Sequence, residues 1–151
     1  MANNKNIIKL NTGLKSYDIY FEDRDEYTTV SFNPFDPDLI VRFNEFQTRC
    51  EKKLEDVKDI ELDADGMPVD DSYVDSIKQT NKIIKDELDI AFGSKISANL
   101  FKYCNPMAIV NGDYFVINFI KAIAPILEEE AKAEQKRLAK HTEKYIKNVK
   151  K

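Results

Sequence analysis

The apolar pattern changes period at Asn33-Pro34-Phe35-Asp36-Pro37, and no single regular element can run across such a change. Before it, Tyr17, Ile19 and Phe21 alternate with Asp18, Tyr20 and Glu22, and Tyr27 to Phe32 is rich in β-branched and aromatic residues. That is the period of a half-buried strand. After it, Leu39, Ile40, Phe43, Phe46, Cys50, Leu54 and Val57 recur at spacings of three and four, which make one face of a helix. The boundary combines a turn with a helix start: Asp36 is placed to cap, and Pro37 to take the first helical position.

On the β side, Ile7 to Leu10 reads as a first strand and Asn11-Thr12-Gly13-Leu14 as turn chemistry. The acidic Glu22-Asp23-Arg24-Asp25-Glu26 reads as a second turn. The expectation is a three-stranded antiparallel meander over residues 6–33, covered on one face by a helix over 37–57. An acidic linker with Gly66 and Pro68 follows, then a helix over 72–92 whose apolar side carries Val74, Ile77, Ile84, Leu88 and Ala91. Phe92-Gly93 reads as its end, and Ser94 as the cap of a short helix over 94–102. Asn105-Pro106 and Asn111-Gly112-Asp113 bracket a loop. The last helix starts near Tyr114 and, if helical to the end of the chain, spans roughly 55 Å, with a kink or restart expected at Pro125. The fold class is therefore α+β: one compact domain over 1–130, including a helix over 114–130, and a charged helical extension over 131–151 that projects from it.

At 151 residues the chain has the length of one ordinary domain, enough for a hydrophobic core. Apolar residues make up 42% and charged residues 33%, too apolar for a wholly disordered chain and charged enough to be well solvated. The longest apolar stretch, Tyr114 to Leu127, is broken by Lys121 and falls short of the ~20 residues of a membrane span. No apolar signal core stands behind the polar Met1-Ala2-Asn3-Asn4-Lys5-Asn6, so neither a membrane nor secretion is expected. Cys50 and Cys104 lie far apart without metal spacing; they read as buried free thiols in a reducing cytoplasm.

Charge is unevenly spread. Residues 136–151 hold seven Lys or Arg against the single acid Glu143, a balance of +6, and the rest of the chain carries −10. An acidic body with a basic tail is expected to meet other copies of itself or a charged partner.

Candidate chemistry is sparse. Glu61-Leu62-Asp63-Ala64-Asp65-Gly66 resembles half of a calcium loop, but Ser72 stands where a bidentate Glu must close the cage, and Pro68 occupies the eighth position. It reads as a solvated linker. His141, the one histidine, lies between Lys140 and Thr142 without the ordered partners a general base needs. A phosphate loop, a nucleophile elbow and zinc spacing are all missing. The reading is a non-catalytic protein with no cofactor and no metal. Lys140, Lys144 and Lys147 recur at helical spacing as a positive ridge able to displace counterions from nucleic acid. The acidic body, a single Arg in the tail and aromatic interleaving limited to Tyr145 weigh against that partner. Nine Phe and seven Tyr are a high aromatic load. Most are expected in the core, and those a chain of this size cannot cover form a patch for association. Phe92, Phe101 and Phe115, near the helix junctions, and Lys140, Lys144 and Lys147 are the candidate partner-binding residues.

Four stretches, in order, resemble a family of small proteins from the tail-gene modules of phages and prophages of Gram-positive bacteria. They are Leu10-Asn11-Thr12-Gly13-Leu14-Lys15-Ser16-Tyr17-Asp18-Ile19, Val30-Ser31-Phe32-Asn33-Pro34-Phe35-Asp36-Pro37, Ile90-Ala91-Phe92-Gly93-Ser94, and Phe119-Ile120-Lys121-Ala122-Ile123-Ala124-Pro125-Ile126. The half with Phe-Gly between two helices, a loop and a long helix is similar to siphophage tail assembly chaperones. The chain departs from the family at Ser94-Lys95-Ile96-Ser97, where members often carry a second glycine. The resemblance implies a chaperone that binds the tape-measure protein, and with it tail-tube subunits, in the host cytoplasm, and that self-associates. The alternatives are a structural tail or virion component and, behind it, a small nucleic-acid-binding regulator.

Overall fold

Alternation in the sequence becomes pairing in the structure. In the computed structural model, which describes residues 6–58, 63–67 and 72–149 (58, 72 and 144–149 by backbone alone), β1 (Lys15–Phe21) and β2 (Glu26–Phe32) form an antiparallel hairpin. Its register runs from Lys15↔Phe32 to Phe21↔Glu26. Phe21, Val30 and Phe32 are buried on one face, with Tyr17 and Ile19 packed beside them. The other face is a polar ladder: the Ser16 and Ser31 hydroxyls meet at 2.9 Å, and Thr29 Oγ1 donates to Asp18 Oδ1 at 2.7 Å. The sheet thus sets one face on the core and the other to solvent, as antiparallel sheets commonly do.

The sheet has two strands and not the three expected. Residues 7–14 have no regular structure, and Ile8 and Leu10 are each 86% exposed. Ile7-Ile8-Lys9-Leu10 is short and lacks the alternation that would place one side on the core. The turn after it is instead tied to the far end of the hairpin. Asn33 Nδ2 donates to the Thr12 carbonyl at 3.0 Å, and the same side chain lies so close to Gly13 that a Cβ there would come 2.9 Å from it.

α1 (Pro37–Lys58) begins as its sequence predicts, with Asp36 Oδ1 accepting the Asp38 N–H at 2.9 Å. Leu39, Phe43, Phe46, Cys50 and Leu54 are its buried face. α2 (Ser72–Phe92) runs antiparallel to α1, since Arg42 Nε donates to the Ala91 carbonyl at 3.0 Å and Arg49 pairs with Glu87 at 2.8 Å. Ile84, Leu88 and Ala91 are buried on α2, whereas Val74, expected on that face, is 48% exposed. α2 ends with Gly93 at φ +68°, the Gly93 N–H bonding to Ile90 and the Ser94 N–H to Asp89. This double closure needs a left-handed residue, which glycine adopts without a Cβ clash.

α3 is a single turn, Ser97–Leu100, shorter than the 94–102 expected. Its N-cap position is Ile96, not Ser94, and makes no side-chain cap bond; Asp89 of α2 instead accepts both the N–H and the hydroxyl of Ser97, each at 2.8 Å. The loop at 105–113 contains a small pairing of β3 (Ile109–Val110) with β4 (Asp113–Tyr114). Asn111 and Gly112 both have positive φ, 54° and 79°, the Asn-Gly turn that fits the twist of a tight hairpin.

α4 (Phe115–Val149) is one helix of 35 residues, roughly 52 Å long. It is continuous through Pro125, although that residue has no N–H for the Lys121 carbonyl. Val116, Phe119, Ile120, Ile123 and Leu127 are buried in the same core cluster as the apolar residues of α1, α2 and the sheet, with Phe119 meeting Phe92 of α2 at 6.2 Å. Among the described residues of α4, none after Leu127 is buried. The fold is α+β, and no described helix is long and apolar enough to cross a membrane.

Candidate functional site

The six residues singled out by sequence fall into different environments. Phe92 is 6% exposed and sits at the centre of the core, 5.2 Å from the Phe32 ring, 6.0 Å from Phe43 and 6.2 Å from Phe119. Phe101 is buried and meets the half-buried Phe115 edge-on at 6.1 Å. These three rings join α1, α2, α3, β2 and α4, with Phe115 the most open of them. Lys140 is exposed on the free part of α4. Lys144 and Lys147 share its helix, and their side chains lie outside the described residues.

Two surfaces emerge. The first is α4 beyond Leu127. Lys132 pairs with Glu128 at 2.9 Å and Arg137 with Glu134 at 3.1 Å, both within the helix. Such i,i+3 and i,i+4 pairs support a helix that has no body to lean on. From Gln135 to Glu143 every residue is exposed, including Leu138 at 63% and His141. Among the described residues, the last ion pair that joins α4 to the body is that of Glu130, which receives Lys15 Nζ from the hairpin at 3.0 Å.

The second surface was not apparent in the sequence. The β1–β2 turn, the stretch after α3 and the first two turns of α4 enclose an open cleft of about 510 Å³. Its walls are largely apolar, with Phe21, Leu100, Tyr103, Phe115 and Phe119, and Glu22, Asp23 and Arg24 stand at its turn side. Tyr103 organises it: Phe21 meets its ring edge-on at 5.3 Å, Arg24 lies over it at 4.5 Å and Lys102 at 5.1 Å. The only hints in the sequence were the acidic turn and a tyrosine beside a loop. The turn that brings them together depends on Asp25, at φ +53°.

Neither thiol is prepared for nucleophilic work. Burial pushes the Cys50 thiol up to about 12, with Glu51 adding to it. Cys104, expected to be buried, is half-buried in the cleft wall. Its thiol is also pushed up, by burial first and then by Asp23, with Arg24 opposing. A thiol held protonated is a poor nucleophile. Among the described residues no group of His, Cys, Asp or Glu is arranged to hold a metal ion. Comparison of the chain with protein-family models, with curated proteins and with solved structures gives no match.

Proposed function

We propose that this chain is a non-catalytic tail assembly chaperone of a tailed phage, acting in the host cytoplasm. Its partner is the tape-measure protein, with tail-tube subunits as a second contact, and it self-associates while bound. The observation that carries the reading is the half of α4 that continues as helix past the last buried residue. It is exposed on every side from Gln135 to Glu143, with Leu138 on one face and Lys136 and Lys140 on the opposite one, an amphipathic surface of the kind that meets another helix side to side. A tape-measure protein is a long helical chain with the same need. The protonated thiols and the exposed His141 agree with a role in binding and not in catalysis.

The test is co-expression of the tagged chain with the tape-measure protein of the same genome. The expected result is an otherwise insoluble tape measure held in solution and co-purified, with loss of both when the chain is cut before Lys136. A tape measure that stays insoluble and does not co-purify overturns the reading.

A further inference from the structure

The outer face of the hairpin carries aromatic surface that the core leaves out. Tyr20 and Tyr27 stand opposite each other in the register, on the side away from Phe21 and Val30. Their rings meet at 5.3 Å, tilted by 36°. A cross-strand aromatic pair supports its own hairpin, yet both residues stay open to solvent, at 65% and 58%. No other Phe or Tyr among the described residues is exposed. The strands and turn around the pair hold Asp18, Glu22, Asp23, Asp25 and Glu26 against Lys15 and Arg24, a balance of −3 over residues 15–32. Among the described residues none of these five acids is in an ion pair. Lys15 is taken by Glu130, and Arg24 lies over the Tyr103 ring.

The basic face of α4 is the complement. At 3.6 residues per turn, Lys136 and Lys140 share one face, positions 144 and 147 continue it as lysines, and Glu143 is the one acid on it after Lys136. Leu138 and His141 lie on the far side. Lys136 and Lys140 are exposed, and neither is in an ion pair among the described residues. An ammonium over an open tyrosine ring with carboxylates beside it is attracted by both, and complementary potentials steer encounter and fix register. We infer that the face of α4 that carries Lys136 and Lys140, in a second copy of this chain, docks on the Tyr20 and Tyr27 face of the hairpin.

Geometry excludes the same chain as the donor. α4 passes the hairpin on its core side, from the turn end, where Ala122 and Phe21 line one cleft, to the base, where Glu130 holds Lys15. Lys136 lies six residues further along the same continuous helix, about 9 Å past the base. Tyr20 lies five residues up β1 from Lys15, about 17 Å the other way. A basic face on a neighbour's hairpin leaves one of each surface free at the two ends, so the contact is heterologous and repeats. This inference rests on the self-association in the reading above and supplies the two surfaces for it.

The experiment mixes the full chain labelled with heavy nitrogen and the unlabelled chain at low salt, and treats them with a carbodiimide, which joins a carboxylate to an amine in contact with it. Peptide mass spectrometry reads the linked pairs, and sedimentation velocity of the untreated chain reads the oligomers. The expected outcome is mixed-isotope links from Glu22, Asp23 or Glu26 to Lys136 or Lys140, in oligomers that dissociate as salt rises. Glu22→Lys with Glu26→Lys weakens association by about tenfold or more, and adding Lys136→Glu with Lys140→Glu to the same chain restores it. Tyr20→Thr with Tyr27→Thr, which keeps β-branched residues on the strands, weakens it as well, and a thermal melt of each variant checks that the fold holds. Oligomers without these links, or indifferent to the charge reversals, overturn the hairpin face as acceptor and leave self-association standing. A chain that is monomeric at every concentration overturns both, while tape-measure co-purification remains a separate readout.

Discussion

Asp89 holds Ser97 twice across the left-handed turn at Gly93, accepting the backbone N–H on Oδ1 and the hydroxyl on Oδ2, both at 2.8 Å. The pair fixes α3 to the end of α2 and so sets Leu100 and Phe101 in the core. Replacing Asp89 by Ala leaves the partly buried Ser97 donors without this acceptor, and a loss of about 1–3 kcal/mol is expected. Ser97→Ala keeps the backbone bond and should cost less. Chemical denaturation of the two single variants and the double variant checks this, and the double should cost less than the sum because both singles break one arrangement.

Phe92→Ala is expected to cost about 3–5 kcal/mol, as large aromatic deletions in a closed core do. Its ring touches three others from three different elements. Any loss of partner binding in this variant should therefore track loss of folding in a thermal melt, and Lys140→Glu should weaken binding with an unchanged melt.

How much of this was legible from the residues depends on whether the decisive neighbour was near in sequence. α1 and α2 keep the bounds read from the sequence because their signals are local: Asp36-Pro37 starts one, and Gly93 stops the other. The expected third strand failed because Ile7 to Leu10 offered β-prone residues without alternation, and the contacts of the turn with Asn33, some 20 residues on, decided the path. The start of α3 was misread for a similar reason: Ser94 is adjacent, but the N-cap position is Ile96, and the acceptor of the Ser97 donors, Asp89, lies back in α2 across a glycine whose conformation aims the chain toward it. The cleft was illegible because its walls come from four separate stretches of the chain.

Truncation after Glu130 should change the stability of the body by less than about 0.5–1 kcal/mol, since exposed positions contribute little to it. The cut keeps Leu127 in the core and the Lys15–Glu130 bridge on the surface. A melt superimposable on that of the full chain, with partner binding gone, is the expected pair of results.

The Cys50 thiol makes stability fall in alkali. Its value rises from the ordinary 9.0 to about 12 on folding, so between these values the folded state binds more protons than the unfolded one. The stabilisation is complete below pH 9 and is lost as pH rises from about 9 toward about 12, with a slope of at most ~1.4 kcal/mol per pH unit from this group. Urea midpoints across that range should drop less steeply in Cys50→Ala than in the parent, even though the variant starts from lower stability.

One consequence of α4 concerns time more than geometry. The helix is a single run of hydrogen-bonded turns, but side-chain burial ends at Leu127. Amide hydrogens on the two sides of that residue are governed by different events. Those of Val116 to Ile123 exchange with solvent when the whole core opens, and those of Gln135 to Glu143 exchange whenever a few unsupported turns unwind. The same helix therefore carries a slow clock and a fast one, and the fast half can re-form against a partner without disturbing the slow half.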